Sequence, residues 1–137
     1  MAAELRLYVD SATGGEPTQG AVAYRLLDNS EEVLLEHAQH IGAATSNEAE
    51  LRALLTGLSA CQKYVRARIN CFSDSELMVL QLNGERRVTD ARLQQLVERV
   101  QRVAQQFRRV AFIYLRHDDP EMARAVRLAS EHLRTAV

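Results

Sequence analysis

The start of the chain alternates between apolar and polar positions in the way that β-strands do. Residues 4–10 (ELRLYVD) alternate and end at an acid, and a stretch rich in Gly, Thr and Pro then predicts a loop. Residues 20–28 predict a second strand, the dipeptide Asn29-Ser30 predicts a turn, and residues 31–41 predict the hairpin partner of that strand. The chain is therefore expected to open with three meandering strands.

The pattern then changes to helical spacing. Apolar residues recur from Leu51 to Leu58 with this spacing, and Thr45 with Glu48 forms a capping box, so we predict a helix over 46–64. The remaining patterns predict a strand over 67–73, a short helix over 75–82, a long amphipathic helix over 89–107, a strand over 108–116 and a helix over 120–134. The predicted order of elements, βββαβααβα, defines an α/β protein.

Length and composition indicate a single globular domain over residues 1–137, with 47% hydrophobic and 26% charged residues. The longest apolar stretches are much shorter than a membrane span, so we expect no membrane association. The chain enters its first strand pattern without a basic leader or cleavage site, which predicts a cytoplasmic location. Cys61 and Cys71 lack CxxC spacing and a neighbouring His, and we predict that both are buried, reduced thiols.

Charge is distributed unevenly along the chain, although the net charge is only −1. Residues 1–80 hold 6 basic and 11 acidic side chains, whereas residues 81–137 hold 11 basic and 7 acidic ones. Sixteen of the 17 basic residues are arginine, whose forked guanidinium suits phosphate. A genome rich in G and C would produce the same bias, so composition alone leaves these two explanations equally open.

Three acidic residues lie at the ends of apolar runs: Asp10 after the first strand pattern, Glu50 in the first turn of the first helix, and Asp74 after the strand over 67–73. Each alone has a local explanation, as a strand end, a favourable charge near a helix N-terminus, and a helix cap. Together they predict a metal site. Two carboxylates about 4 Å apart repel by roughly 4 kcal/mol at an effective dielectric of 20, and a divalent cation removes that cost.

The segments around these acids resemble motifs of type 1 ribonuclease H. The segment 45–58 (TSNEAELRALLTGL) is similar to the family's Thr-Asn-Asn-x-x-Glu segment with its leucine-rich helix, and 72–84 (FSDSELMVLQLNG) to its Asp-Ser-x-x-x-x-x-x-Gln motif. The segment 10–20 (DSATGGEPTQG) keeps the spacing of its Asp-Gly-x-x-x-Gly-Asn-Pro-Gly loop. The resemblance covers nearly the whole chain and implies a ribonuclease H-like fold, a mixed five-stranded sheet flanked by helices.

The resemblance also implies a metal-dependent endonuclease that hydrolyses the RNA strand of RNA–DNA hybrids. In that family two Mg²⁺ or Mn²⁺ ions flank the scissile phosphate, one helping to activate water and the other stabilising the leaving oxygen. Such ions require hard oxygen ligands. Carried over to this chain, Asp10 would bridge both ions, while Glu50 and Asp74 would hold the ion on the attacking side.

The same resemblance implies contacts with an RNA–DNA hybrid or another nucleic-acid duplex. Thr45 and Asn47 match positions at which the family touches a DNA phosphate and the minor-groove edge, where ribose 2′-hydroxyls are read. Ser46 stands where Asn is usual and can still form a hydrogen bond, and Ser11 replaces the Gly after the first Asp. These four residues are the candidate substrate-binding residues.

The last helix departs from the family motif. The segment 120–129 (PEMARAVRLA) aligns without gaps to Pro-x-Asn-x-x-x-Asp-x-Leu-Ala, which puts Val126 at the position of the fourth carboxylate and Met122 at the position of the Asn. Valine cannot bind a metal. The first loop departs as well, because Glu16 places a negative charge where a nucleic-acid backbone should approach.

The loop before the last helix offers possible replacements for the missing carboxylate. Asp118 or Asp119 could return an acid to the site, although capping of the helix that begins at Pro120 is the simpler interpretation of Asp119. His117 could replace the loop histidine that the family uses near the leaving group, although the gapless alignment puts Arg116 there. We therefore carry Asp119 and His117 as further catalytic candidates.

Three functions remain open at this point. The intact acids Asp10, Glu50 and Asp74 favour an endonuclease that uses Mg²⁺ or Mn²⁺. The residues Val126, Met122 and Glu16 favour a catalytically weakened or inactive module that binds nucleic acid or a protein partner. A purely structural role leaves the three acids unexplained.

Overall fold

The computed structural model describes residues 3–135, which form a five-stranded sheet with helices against both of its faces. The strands are β1 (Glu4–Gly14), β2 (Gln19–Leu27), β3 (Val33–Ala43), β4 (Arg68–Ser73) and β5 (Arg109–Tyr114). The helices are α1 (Ser46–Ala60), α2 (Glu76–Leu82), α3 (Ala91–Ala104) and α4 (Pro120–Thr135), and a 3₁₀ turn (Gln62–Tyr64) follows α1. The predicted order βββαβααβα is confirmed.

The strands lie in the order β3-β2-β1-β4-β5. The strands β1, β2 and β3 are antiparallel neighbours, whereas β4 runs parallel to both β1 and β5. The predicted mixed five-stranded sheet is therefore confirmed. Because β1 and β4 are parallel and pair Tyr8 with Phe72, continuing the register by two residues brings Asp10 level with Asp74.

Alternating residues of β1 divide the core into two layers. Leu5, Leu7 and Val9 belong to the larger apolar cluster, which α1 and α3 cover, whereas Tyr8 belongs to a smaller cluster beneath α4. Helix α1 lies close to the sheet at Gly57, where an added Cβ would come within 3.0 Å of the Val9 side chain. This close approach fixes the position of α1, the helix that carries Glu50.

Some predicted boundaries were wrong. Strand β1 continues past Asp10 to Gly14, because residues 11–14 keep pairing with β2 through the segment that was predicted to be a loop. Asp10 thus lies within a strand and not at its end. Helix α1 ends at Ala60, four residues before its predicted end.

The cysteine prediction is confirmed, because Cys61 and Cys71 are both buried and free. Burial raises the pKa of the Cys61 thiol to about 12. Within residues 3–135, no helix has both the length and the apolar character needed to cross a membrane.

Candidate metal centre and active site

The three predicted carboxylates come from three different elements. Asp10 is on β1 and only 8% exposed, Asp74 directly follows β4, and Glu50 is in the first turns of α1. Asp74 and Glu50 are both partly buried. The parallel pairing of β1 with β4 and the packing of α1 on β1 carry these residues toward one end of the sheet.

The electrostatics of the site show that the three carboxylates are neighbours. Burial, the charge of Asp74, a hydrogen bond with Asp74 and the charge of Glu50 together raise the pKa of Asp10 to about 8, against a backbone hydrogen bond from Ser11 that lowers it. Burial also raises the pKa of Glu50, with the Ser75 hydroxyl acting against this shift and Asp74 adding to it. Three acids thus share one partly desolvated space.

The carboxylates of Asp10, Glu50 and Asp74 suit a hard divalent cation, but they are not arranged as a complete coordination shell. Within residues 3–135, no group of three or more His, Cys, Asp or Glu side chains is arranged so that it could hold a metal ion. Carboxylate oxygens are nevertheless the ligands that Mg²⁺ and Mn²⁺ prefer, and the repulsion that raises the pKa of Asp10 is what a cation would offset. The assignment of metal ligands stays a prediction.

The helix cap proposed as a local explanation of Asp74 is provided by another residue. Helix α2 is capped by Ser75, whose hydroxyl accepts a hydrogen bond from the Met78 N–H at 3.3 Å. The Ser75 N–H in turn donates to the Ser73 hydroxyl at 3.1 Å. The capping interpretation of Asp74 was therefore wrong, and the structure gives its carboxylate no role in starting α2.

The candidate substrate-binding residues surround the start of α1. Thr45 caps this helix as predicted, since its hydroxyl accepts from the Glu48 N–H at 3.2 Å. The Ser46 hydroxyl lies 2.9 Å from that of Thr13, which ties the start of α1 to the end of β1. Asn47 is exposed and lines, with Thr45, a depression of about 340 Å³.

Ser11 follows Asp10 directly and is partly buried. Its backbone hydrogen bond to the Asp10 carboxylate lowers the pKa of that group, although burial and the two neighbouring acids outweigh this effect. The structure thus brings Ser11 to the carboxylates, while its predicted contact with substrate is not tested.

Both acids of the loop before α4 accept hydrogen bonds from groups of that loop and helix. The Asp119 carboxylate accepts hydrogen bonds from the N–H groups of Glu121 and Met122, both at 3.1 Å, which confirms the helix-capping interpretation. Asp118 pairs with Arg116 through two hydrogen bonds of 3.1 and 3.2 Å, and the hydrogen bond from that guanidinium lowers the pKa of Asp118. His117 is exposed between them.

The two positions that depart from the family motif are part of the hydrophobic core. Met122 is completely buried and joins Tyr8, Leu27 and Ala125 in the smaller apolar cluster. Val126 is partly buried and packs against the same cluster. These side chains now hold α4 on the sheet.

The sequence analysis missed a buried ion network beside α4. Arg25 of β2 is only 4% exposed, and its guanidinium donates to Glu36 of β3 at 2.7 Å and to Glu121 of α4 at 2.5 Å. One signal was available, because Arg25 interrupts the apolar run of residues 21–27. A charge within such a run indicates a buried side chain that needs partners.

The strand order, the helices on both faces and the neighbouring acids within β1 and directly after β4 define the ribonuclease H fold. The chain belongs to the reverse transcriptase-like family, whose model matches residues 8–131. The predicted family and fold are thus confirmed.

Two relatives place the chain among ribonuclease H sequences. It is 32% identical over 112 residues to the bifunctional protein Rv2228c of Mycobacterium tuberculosis, covering 79% of this chain and 30% of that protein. It is 35% identical over 77 residues to ribonuclease HI of Halobacterium salinarum, covering 56% of this chain and 39% of that protein. The chain thus matches about a third of the length of these curated relatives.

Solved ribonuclease H structures have a similar fold over nearly the full length of this chain. The crystal structure of RNase H1 from Halobacterium salinarum has a TM-score of 0.89 at 28% identity, covering 97% of this chain and 99% of that one. The N-terminal RNase H domain of Rv2228c has a TM-score of 0.89 at 29% identity, covering 98% and 96%. LC11-RNase H1 in complex with an RNA/DNA hybrid has a TM-score of 0.87 at 25% identity, covering 96% and 98%.

Proposed function

We propose that residues 1–137 are one ribonuclease H-like domain that hydrolyses the RNA strand of RNA–DNA hybrids with the help of Mg²⁺ or Mn²⁺. The observation that carries this proposal is the buried Asp10 carboxylate, whose pKa is raised to about 8 by burial and by Asp74 and Glu50. Such strongly shifted groups are typical of functional sites. A cytoplasmic location is part of the proposal and agrees with the two free thiols.

Asp10, Glu50 and Asp74 are the proposed metal ligands. A divalent ion bound there would lower the pKa of a coordinated water and stabilise charge on the scissile phosphate. Ligation requires the ionised form of Asp10, so ion binding would release a proton and would strengthen as the pH rises toward 8. Side-chain rotation must bring the three carboxylates into one coordination shell.

Thr45, Ser46, Asn47 and Ser11 are the proposed contacts to the hybrid. The exposed amide of Asn47 beside the capped start of α1 is suited to hydrogen bonds with groove edges and 2′-hydroxyls. His117 is exposed in the loop after β5, where it can reach a bound duplex as a candidate proton donor. In this proposal Asp119 keeps its role as the cap of α4 and does not contact the reacting groups.

A second function is favoured by the packing of α4. Because Met122 and Val126 belong to the core and offer no ligand, the site has three acids where the resembled motif has four. The alternative is therefore a catalytically weakened or inactive module that binds nucleic acid or a protein partner.

Cleavage of an RNA–DNA hybrid labelled on its RNA strand separates these functions. The endonuclease proposal expects cleavage by the wild type with Mg²⁺ or Mn²⁺, and none with chelator or with Asp10→Asn. Hybrid binding should be measured in chelator by fluorescence anisotropy. Binding without cleavage in either metal would reject the endonuclease and support the binding module, and cleavage that survives Asp10→Asn would reject the proposed site.

A further inference from the structure

Four arginines are grouped at the end of the sheet where β4 and β5 begin: Arg66, Arg68, Arg108 and Arg109. The parallel pairing of these strands puts Arg68 directly opposite Arg109. The Arg108 N–H donates to the Val65 carbonyl at 2.9 Å, which brings Arg108 beside the backbone that precedes Arg66. We call this group the basic edge.

The charge of the basic edge is not neutralised within residues 3–135. All four arginines are exposed, and none has a carboxylate within 4.0 Å, whereas other arginines of this chain, such as Arg25, do. Glu4 pairs with Arg68 in the strand register without forming an ion pair. Even with Glu4 included, the basic edge has a charge of +3 in a chain whose net charge is −1.

The basic edge lies far from the carboxylates. Arg68 begins β4 and Asp74 directly follows it, six residues later, which corresponds to roughly 20 Å at about 3.3 Å per residue. The four arginines are therefore outside the proposed metal site, and their charge cannot serve to balance Asp10, Glu50 and Asp74 at physiological salt, where screening acts over about 8 Å.

Among residues 3–135, no helix covers one face of β4 and β5 between the basic edge and the carboxylates. Helix α4 packs on β1, β2 and β3 and makes no comparable contact with β4 or β5. Phe72 of β4 adjoins the cluster beneath α4, and the residues alternating with Ile69 and Cys71 on β4 share its face. Asn70 and Phe72 are accordingly only partly buried, and this surface runs from the basic edge toward the carboxylates.

We propose that the basic edge binds the phosphate backbone of nucleic acid, as a second contact surface outside the carboxylate site. Guanidinium groups pair with phosphate through two parallel hydrogen bonds, and arginines that neutralise phosphates release the counterions condensed on the nucleic acid. Arginines that contact only phosphates, and not the base edges in a groove, bind nucleic acid independently of its sequence. This surface does not depend on cleavage, and its phosphates can belong to RNA or to DNA.

The test is the salt dependence of binding, measured by anisotropy in chelator with labelled RNA–DNA hybrid, single-stranded RNA and single-stranded DNA. The test variant is Arg68→Gln/Arg109→Gln. The matched control is Arg127→Gln/Arg134→Gln, which removes the same charge from two exposed arginines of α4 without ion pairs in the described residues. Loss of two phosphate contacts should make the negative slope of log K against log salt shallower by roughly 1.8 for the hybrid.

The proposal expects that reduced slope in the test variant, an unchanged slope in the control, and recovery of the slope in Arg68→Lys/Arg109→Lys. The three nucleic acids identify whether duplex or single strand supplies the phosphates. A wild-type slope in the Gln variant, or an equal fall in the control, would overturn it. Binding of polyglutamate but not of nucleic acid at this edge would also overturn it and would assign the edge to an acidic protein.

This outcome is separable from that of the proposed function. A reduced slope without any hybrid cleavage by the wild type would leave the basic edge standing and reject only the endonuclease. Metal-dependent cleavage by the wild type, with no slope change in the Gln variant, would support the endonuclease and reject only the basic edge.

Discussion

Asp10 is a buried acid whose surroundings differ strongly from water. Its pKa of about 8 lies above the ordinary 3.8, so the folded protein without metal favours the protonated form. The stability gained from that proton is fully present below about pH 4 and is lost as the pH rises through about 8. Acidic conditions should therefore favour the metal-free fold at this site, and a cation should replace the proton at neutral pH.

Asp10→Asn should raise the melting temperature of the metal-free protein, because the amide cannot ionise and nearly preserves the shape of the side chain. The increase should be small near pH 4 and largest above pH 8. Relief of ~1 kcal/mol would shift the melting temperature by roughly 2–8 °C for a domain in this size range. Thermal melts in chelator over a pH series measure the effect.

Asp118→Asn is the matched control, because Asp118 is exposed and already paired with Arg116. It should show no gain that grows with pH. If Asp10→Asn melts at a lower temperature than the wild type at pH 8, the Asp10 carboxylate is a structural hydrogen-bond acceptor and is not destabilised by repulsion from the neighbouring carboxylates.

Single residues show where prediction from sequence succeeds. An aspartate precedes both α2 and α4, and the same signal had two outcomes: Asp119 caps its helix, while Ser75 takes the cap from Asp74. The residue immediately before the helix decides between them. The partners of Arg25 could not be predicted, because they lie 11 and 96 residues away and meet it only through the strand register and the docking of α4.

Among the elements, α4 packs on the sheet through Met122 and Val126, the two positions at which the resembled motif has polar residues. Val126→Asp should increase hybrid cleavage by at least about tenfold, since a restored metal can contribute several kcal/mol and each 1.36 kcal/mol is tenfold in rate. The same change should lower the melting temperature, because Val126 packs against the apolar cluster beneath α4 and a polar group there costs roughly 1–3 kcal/mol. Activity should therefore be expressed per folded molecule.

Val126→Asn separates the carboxylate from the change of shape. It should destabilise α4 to a similar extent without increasing cleavage. Equal cleavage by the Asp and Asn variants would show that position 126 no longer reaches the reacting groups.

The attachment of α4 to β2 and β3 depends on Arg25. Removing one member of a buried ion pair costs roughly 3–5 kcal/mol, and we expect the lower end of that range for Arg25→Gln because Glu36 is exposed and Glu121 is only partly buried. Arg116→Gln breaks an exposed pair and should cost less than about 1 kcal/mol. Urea unfolding of both variants is the measurement, and equal losses would contradict a structural role for the buried network.

The order of the elements was predictable because each element has its own periodicity, whereas their ends were not. The segment 11–14 has loop composition, yet it is held in β1 by pairing with residues 19–22 of β2. Such long-range pairing leaves no mark in a local pattern. The early end of α1 at Ala60, before a 3₁₀ turn, was likewise not marked by a Gly or Pro.

At the scale of the whole molecule, the parallel strands β1, β4 and β5 give the domain two electrically different ends. Asp10, within β1, and Asp74, directly after β4, lie toward one end, and the amino ends of β4 and β5 carry the arginines of the basic edge. The resemblance in the sequence predicted the first end through its motifs. The second end belongs to no motif and became visible only when the strand register put Arg68 beside Arg109.

The central claim is that Asp10, Glu50 and Asp74 share one divalent cation, and calorimetric titration with Mn²⁺ tests it most directly. The wild type should bind Mn²⁺ with an affinity that rises between pH 6 and pH 8 as Asp10 loses its proton. Asp74→Asn should bind at least about tenfold more weakly, a loss of about 1.4 kcal/mol. Equal affinity of the wild type and Asp74→Asn for Mn²⁺ would contradict the claim.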